Sequence, residues 1–327
     1  MLAFIIRRLL QSTLVLLVVA FIAFGLFNFT GDPVAFMTGQ NATTEDRARL
    51  RAELGIDQPF YVQFARFVGN AVRGDFGLSL RQARPVSVLL KERLPATLEL
   101  ATAAALLALF VGIPLGVYTA LRRHTWLAHF LLAVSLVGVS LPSFLIGILL
   151  ILVFAVQLGW LPSFGRGDTV ALGWWTTGLL TKSGLKALIL PTITLSLIQM
   201  TLIMRLVRAE MLEVLRTDYI KFARARGLTD RAIHFGHALK NTLVPVITIV
   251  GLQLGAIIAF AIVTETVFQW PGMGLLFIQS VYFADIPVMA AYLCLIALVF
   301  VLINLVVDLM YYAVDPRLRI ERMAAAH

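Results

Sequence analysis

The sequence predicts an all-α polytopic membrane protein with six transmembrane helices. Three observations carry that expectation. Of 327 residues, 60% are hydrophobic and only 14% charged, whereas soluble domains run at about 45–50% apolar and about 25% charged. The apolar residues are gathered in runs of about 20, long enough at 1.5 Å rise per residue to cross a hydrocarbon core of about 30 Å. The basic residues behind the net charge of +9 cluster on alternate connections, as the cytoplasmic excess of Lys and Arg demands. A soluble two-domain enzyme, which the length alone permits, lacks the polar surface it would need. The mean hydropathy of +0.90 says the same.

The six spans are read at about 9–29, 97–121, 129–157, 187–207, 244–268 and 288–313. Arg7 and Arg8 precede the first in the manner of a signal peptide. Its apolar stretch, Leu9 to Phe29, exceeds an h-region of about 7–15 residues, and no small-residue cleavage site follows, so it is expected to remain as an anchor. With the N-terminus inside, the cytoplasmic pieces hold Arg7, Arg8, Arg122, Arg123, eight basic residues from Arg205 to Lys240, and Arg317, Arg319 and Arg322. The two short outer connections hold only Arg166, Lys182 and Lys186; the remaining nine lie in the long segment 30–96, and long outer segments largely escape the charge rule. Both termini are therefore expected in the cytoplasm.

This gives four regions: an N-terminal span (1–30), an outer segment with short amphipathic helices (31–95), a five-helix core (96–313) and a cytoplasmic tail (314–327). In the outer segment, Glu45 to Leu54 reads as a short helix with Thr44 as N-cap and Gly55 as terminator. Pro59 opens a second, where Phe60, Tyr61, Phe64, Phe67, Val68 and Ala71 recur at helical spacing before Gly74. A third short helix starts at Pro85. Such helices lie on the membrane interface or pack on the spans. Pro114, Pro142 and Pro191 interrupt spans and Pro245 opens the fifth. They read as plain kinks or as hinges. The single cysteine, Cys294, excludes an intrachain disulfide.

The fourth and fifth spans are joined by the longest cytoplasmic connection, about 208–243. Asp218 is placed to cap a helix over Tyr219–Arg226, Gly227 to end it, and Thr229 to cap a second helix running to about Lys240. Two short helices with apolar residues, in a connection holding seven basic side chains, admit three readings. One is a solvated connector; another is a helix-turn-helix for nucleic acid, which would have to reach its target from a short membrane tether. The third is a docking element whose apolar residues anchor a cytoplasmic partner.

Here the chain resembles a family. Asp218-Tyr-Ile-Lys-Phe-Ala-Arg-Ala-Arg-Gly-Leu228, then His237-Ala-Leu-Lys-Asn-Thr-Leu-Val-Pro245, is similar to the EAA loop of ABC importer permeases, above all those for dipeptides, oligopeptides and nickel. Ala223, Gly227 and Leu239 match the general pattern. Lys221 stands for its Glu, Phe222 for its first Ala, His237 for its Ile and Lys240 for its Pro, substitutions usual in the peptide and nickel branch. Gly31-Asp-Pro, Leu54-Gly-Ile-Asp-Gln-Pro, Gly74-Asp-Phe-Gly, Leu158-Gly-Trp-Leu-Pro, Glu265-Thr-Val-Phe-Gln-Trp-Pro-Gly-Met-Gly and Asp315-Pro-Arg-Leu-Arg follow in the family's order.

The resemblance implies a type I ABC importer permease fold in a bacterial inner membrane, moving peptides or similar small polar solutes. It implies as partners a second homologous permease, two cytoplasmic ABC ATPases that carry ATP and Mg, a periplasmic substrate-binding protein and membrane lipid, with no nucleic acid. No cofactor is expected in this chain and it is not expected to be an enzyme. It has no G-x-x-x-x-G-K-[ST] loop and no Gly-Lys dipeptide at all, so it cannot build a phosphate cradle of that kind. The ATPase-coupling residues are expected to be Asp218, Tyr219, Phe222, Ala223, Gly227, Leu228, His237 and Leu239, with Phe222 and Ala223 on the apolar face.

Charged and amide residues in spans require a reason. Glu99 and Glu265 fall near outer span ends, within reach of water, or else at an outer gate. Asp308, near the inner end of span six, reads as structural. Gln199 and Gln253 either line a pathway or hydrogen-bond between helices. His234 and His237 share a helix face without a carboxylate or Cys to complete a metal set, and no catalytic constellation is evident. Two other readings remain open from the residues: an ion-driven secondary transporter, and a membrane receptor or scaffold that moves nothing.

Overall fold

The structure is a computed structural model that describes residues 2–29, 43, 45 and 57–314. The described residues are mostly helical: α1 (Leu2–Phe29), α2 (Phe60–Val72), α3 (Val86–Leu121), α4 (Trp126–Ser140), α5 (Ser143–Leu150), α6 (Lys182–Val214), α7 (Asp218–Ala225), α8 (Leu239–Val267), α9 (Met273–Tyr282) and α10 (Ile286–Val314). Two π-helical stretches, Ile151–Gln157 and Ala232–Ala238, extend α5 and lead into α8. Between the third and fourth expected spans lies a hairpin of β1 (Val170–Leu172) and β2 (Trp175–Thr177), turned at Gly173 with φ +66. The helix expected over Glu45–Leu54, with its Thr44 cap, falls outside the described residues except at Glu45, as do residues 315–327.

Among the described residues four helices are long and apolar enough to cross a membrane, within α1, α3, α6 and α10. Two bent pairs qualify as well: α4 with Ser143–Gln157, bent by 109°, and Pro245–Gly251 with Gly255–Val267, bent by 46°. The third expected span is therefore not one straight rod. Leu141 takes an extended conformation (φ −90, ψ 138) and Pro142 becomes the N-cap of α5. The residue before a proline is pushed out of the α region by the ring, and here the chain turns at that point. Pro191 and Pro245, by contrast, lie inside continuous helices. The short helix expected from Pro85 is also not separate, because Val86 to Leu121 is one helix.

The chain divides into two compact units. One comprises the described residues up to 95 with 171–176 and 271–301. In it α2 packs on α1 through aromatic rings, Phe60, Phe64 and Phe67 meeting Phe21 and Phe24 at centroid distances of 5.0–5.8 Å. This chooses packing over a free interfacial position for the amphipathic helix. The turn after α2 is clasped by Asp285, which is 2% exposed and accepts from Ser79 Oγ and from Leu80 N–H at 3.0 Å.

The other unit comprises residues 96–170 and 177–270 with the described residues from 302 onward. Its core joins Ala108, Val117 and Ala120 of α3 to Ile203, Val207 and Met211 of α6, and both to Ile220 and Ala223 of α7. Helices α3 and α6 approach closely because Gly116 has no side chain. A Cβ there would stand 2.6 Å from Val207 Cβ and 2.7 Å from the Met204 carbonyl oxygen.

Candidate functional site

The expected coupling segment is a short helix fastened to the bundle, and its ends are built from local chemistry. Its N-cap is Thr217 rather than Asp218, and Thr217 makes no side-chain cap hydrogen bond. The Thr217 hydroxyl instead donates to the Val214 carbonyl at 2.6 Å. Asp218 is the first helical residue, exposed, with Lys221 Nζ at 2.8 Å. A carboxylate in a first turn still favours the positive end of the helix. At the other end Gly227 has φ +77, as expected. Its N–H donates to the Arg224 carbonyl at 3.0 Å, and Leu228 N–H to the Ala223 carbonyl at 3.3 Å. These two bonds make a Schellman termination, which needs a left-handed residue at that point.

Helix α7 has two faces. Ile220 and Ala223 are buried against α3 and α6. Phe222 is 64% exposed and Tyr219 41%. The expectation that Phe222 and Ala223 share the apolar face is thus corrected: at one residue apart they lie about 100° apart around the helix. Ile220, three residues before Ala223, completes the buried stripe. Tyr219 is steadied by Asn241, whose amide donates to its hydroxyl at 2.6 Å, and the Arg226 guanidinium lies 5.8 Å from the Phe222 ring centre.

Beyond Gly227, Leu228 and His237 are exposed and Leu239 is half-buried against the core. Thr229 does cap the next helix, its Oγ accepting from Ala232 N–H at 3.4 Å. That helix does not stop near Lys240; it passes through the π-helical stretch into α8.

The second set of expected residues departs further from the sequence reading. Glu99 and Glu265 are not at water: they are 7% and 0% exposed. Glu99 Oε2 accepts from Arg166 Nη2 at 2.6 Å and Nε at 3.2 Å, with Gly178 N–H at 3.5 Å. Its other oxygen, Oε1, has no hydrogen-bond partner among the described residues. Glu265 Oε1 accepts from the Thr97 hydroxyl at 2.6 Å, and the Trp270 indole donates to the Ala96 carbonyl at 2.9 Å. The Arg166 guanidinium stands 6.0 Å from the Trp270 ring centre. A buried carboxylate is tolerated where a cation and donors replace its water, and this network supplies them.

Sequence reasoning missed Arg166, Thr97 and Trp270 as members of this cluster. One signal for Arg166 was present: it is flanked by Gly165 and Gly167, whose φ values are +83 and +68. A Cβ on Gly167 would lie 2.6 Å from the Ser183 carbonyl carbon, so the turn that aims Arg166 inward admits only glycine there. Gln199 is 4% exposed, and its Oε1 lacks a partner beside a small crevice formed with Ser143, Ile257 and Phe260. Gln253 is half-buried and does not line that crevice. The side chain of Asp308 lies outside the described residues. Among the described residues no group of three or more His, Cys, Asp or Glu is placed to hold a metal ion.

Comparison with known proteins adds the following. The family described as "Binding-protein-dependent transport system inner membrane component" matches residues 112–320, and its companion "Binding-prot-dependent transport system membrane comp, N-term" matches residues 1–101. The chain is 38% identical over 332 residues to the dipeptide transport system permease protein DppB of Alkalihalophilus pseudofirmus, covering 98% of this chain and 100% of that protein. It is 41% identical to the probable D,D-dipeptide transport system permease protein DdpB of Escherichia coli K12, over 88% of each chain. The glutathione transport system permease protein GsiC of E. coli K12 is 38% identical over 98% of this chain and 99% of that protein. In fold, the chain is similar to a chain of the inward-facing MetNI methionine ABC transporter, with a TM-score of 0.53 and 21% identity over 69% of this chain and 96% of that one.

Proposed function

We propose a function that proceeds from one premise: the chain belongs to the binding-protein-dependent transport system inner membrane component family. It is a permease subunit of an ABC importer for peptides, and ATP hydrolysis resides on separate subunits. The cargo is a short peptide, as the names of DppB, DdpB and GsiC suggest. The chain crosses the inner membrane six times, the two bent pairs each counting as one span, with both termini in the cytoplasm. The basic residues gathered at one side of the spans support this orientation.

The observation that carries the mechanism is the two-faced α7. Its buried Ile220 and Ala223 join it to α3 and α6, while Phe222, Tyr219 and the nearby arginines face outward. An exposed aromatic with a cationic rim is what an anchored partner helix presents to a cleft. We infer that α7 seats in a cytoplasmic ATPase, so that movement of the ATPase is carried into α6 and α8. Gln253 lies along the pathway, while the buried Glu99, Glu265 and Gln199 brace its wall and outer gate. A second permease completes the pathway, and a periplasmic binding protein delivers the cargo.

The experiment is purification of the tagged chain from native membranes, identification of the co-purifying subunits, and reconstitution with labelled dipeptide. Recovery of a second permease and an ATPase, with uptake dependent on ATP, is the expected result. Recovery of the chain alone, with uptake driven by an ion gradient and indifferent to ATP, would overturn the proposal.

A further inference from the structure

We propose that the crevice between α4 and α6 binds an anionic phospholipid, with the phosphate on Arg205 and Arg208, the headgroup side against Ala209 and Leu212, and an acyl chain leaving past Leu132 into the hydrocarbon. Arg205, Arg208, Ala209 and Leu212 fall at i, i+3, i+4 and i+7, one face of α6. With Leu132 of α4 they line a space of about 250 Å³. Arg205 is exposed and Arg208 half-buried, and among the described residues neither has a hydrogen bond or an ion pair. Two cations one turn apart repel each other, and the two carboxylates nearby on α6, Glu210 and Glu213, do not line the crevice. An anion placed between the guanidiniums relieves that repulsion with charge-assisted hydrogen bonds.

Depth in the membrane selects a lipid over a soluble anion. Residues 187–204 are 18 uncharged residues, and Arg205 is the first charge after them. At 1.5 Å per residue they span roughly 27 Å, close to the hydrocarbon thickness. Arg205 therefore stands where hydrocarbon gives way to headgroups. The first turn of α4 carries Trp126, 76% exposed, a residue type enriched at that boundary. Apart from the arginines the crevice is lined by Leu132, Ala209 and Leu212, with no polar partner for water. Basic pockets between spans at the cytoplasmic side bind acidic lipid headgroups. Assignment to the cytoplasmic leaflet rests on the orientation proposed above; the site itself rests on the helix face.

The test is native mass spectrometry of the full chain, with its co-purifying subunits, after exposure to phosphatidylglycerol or phosphatidylcholine. Phosphatidylglycerol is expected to be retained roughly tenfold better. Arg205→Gln/Arg208→Gln should abolish the preference, and Leu132→Trp, which fills the crevice and keeps both cations, should lower retention of the lipid. Arg205→Gln alone, at an exposed position, should weaken retention severalfold if the double variant does not fold. Equal retention of the two lipids, an unchanged preference in the variants, or displacement by millimolar inorganic phosphate would overturn the proposal. So would loss of the lipid whenever partner subunits are bound. The readout needs no transport, so a wrong cargo leaves it untouched.

Discussion

Replacing Arg166 by Met should destabilise the chain far more than replacing it together with Glu99. The two side chains are 6% and 4% exposed and the ion pair is 2.6 Å long. Among the described residues Glu99 has one other donor within reach, Gly178 N–H at 3.5 Å, and its Oε1 has none. Arg166→Met therefore leaves a buried carboxylate almost without solvation. Breaking a buried pair in this way costs about 3–5 kcal/mol, or roughly two to three and a half powers of ten in the folding equilibrium. Glu99→Met takes the carboxylate away from a buried guanidinium and should also destabilise the chain. Exchanging both for apolar residues of similar volume removes the desolvation cost along with the attraction, and the double variant should return to within about 1 kcal/mol of the parent. The assay is reversible unfolding of the purified chain in mixed micelles by titration with sodium dodecyl sulfate, followed by tryptophan fluorescence. The cycle should give a coupling energy of about 3 kcal/mol or more. A double variant whose loss equals the sum of the two single losses would refute the reasoning, as would an Arg166→Met chain as stable as the parent.

Other outcomes follow from the same geometry. Ile220→Ala, at a fully buried position, should lose about 2–5 kcal/mol in the same titration. Phe222→Ala, 64% exposed, should stay within about 0.5 kcal/mol yet reduce the yield of co-purifying ATPase; equal ATPase recovery would remove Phe222 from the interface. Gly227→Pro cannot adopt φ +77, so the variant should insert in the membrane but hydrolyse ATP without moving peptide, and normal uptake would sink the coupling role of α7. Gly116→Val places its side chain against Val207 and the Met204 carbonyl. It should force α3 from α6 at a cost of about 1–3 kcal/mol or more, read as a lower yield of monodisperse protein on gel filtration.

The parts of this protein that were legible in the sequence depend on neighbours along the chain. Apolar length marked the membrane helices, the aromatic period after Pro59 marked α2, and Gly227 marked the end of α7, because helix periodicity and capping act within one or two turns. The order of short motifs identified the family. Tertiary structure decided what lies far apart in sequence. Glu99 meets Arg166 across 67 positions and Glu265 meets Thr97 across 168, so residues that read as reaching water are buried and bonded. Pro142 breaks its span while Pro191 and Pro245 do not, although the ring is the same in each. The face of α7 given to the bundle was settled by the cavity that α3 and α6 leave for Ile220 and Ala223. Local sequence specifies that a helix forms and where it stops; which side of it is buried depends on surfaces supplied by other helices, here α3, about a hundred residues away, and the preceding α6.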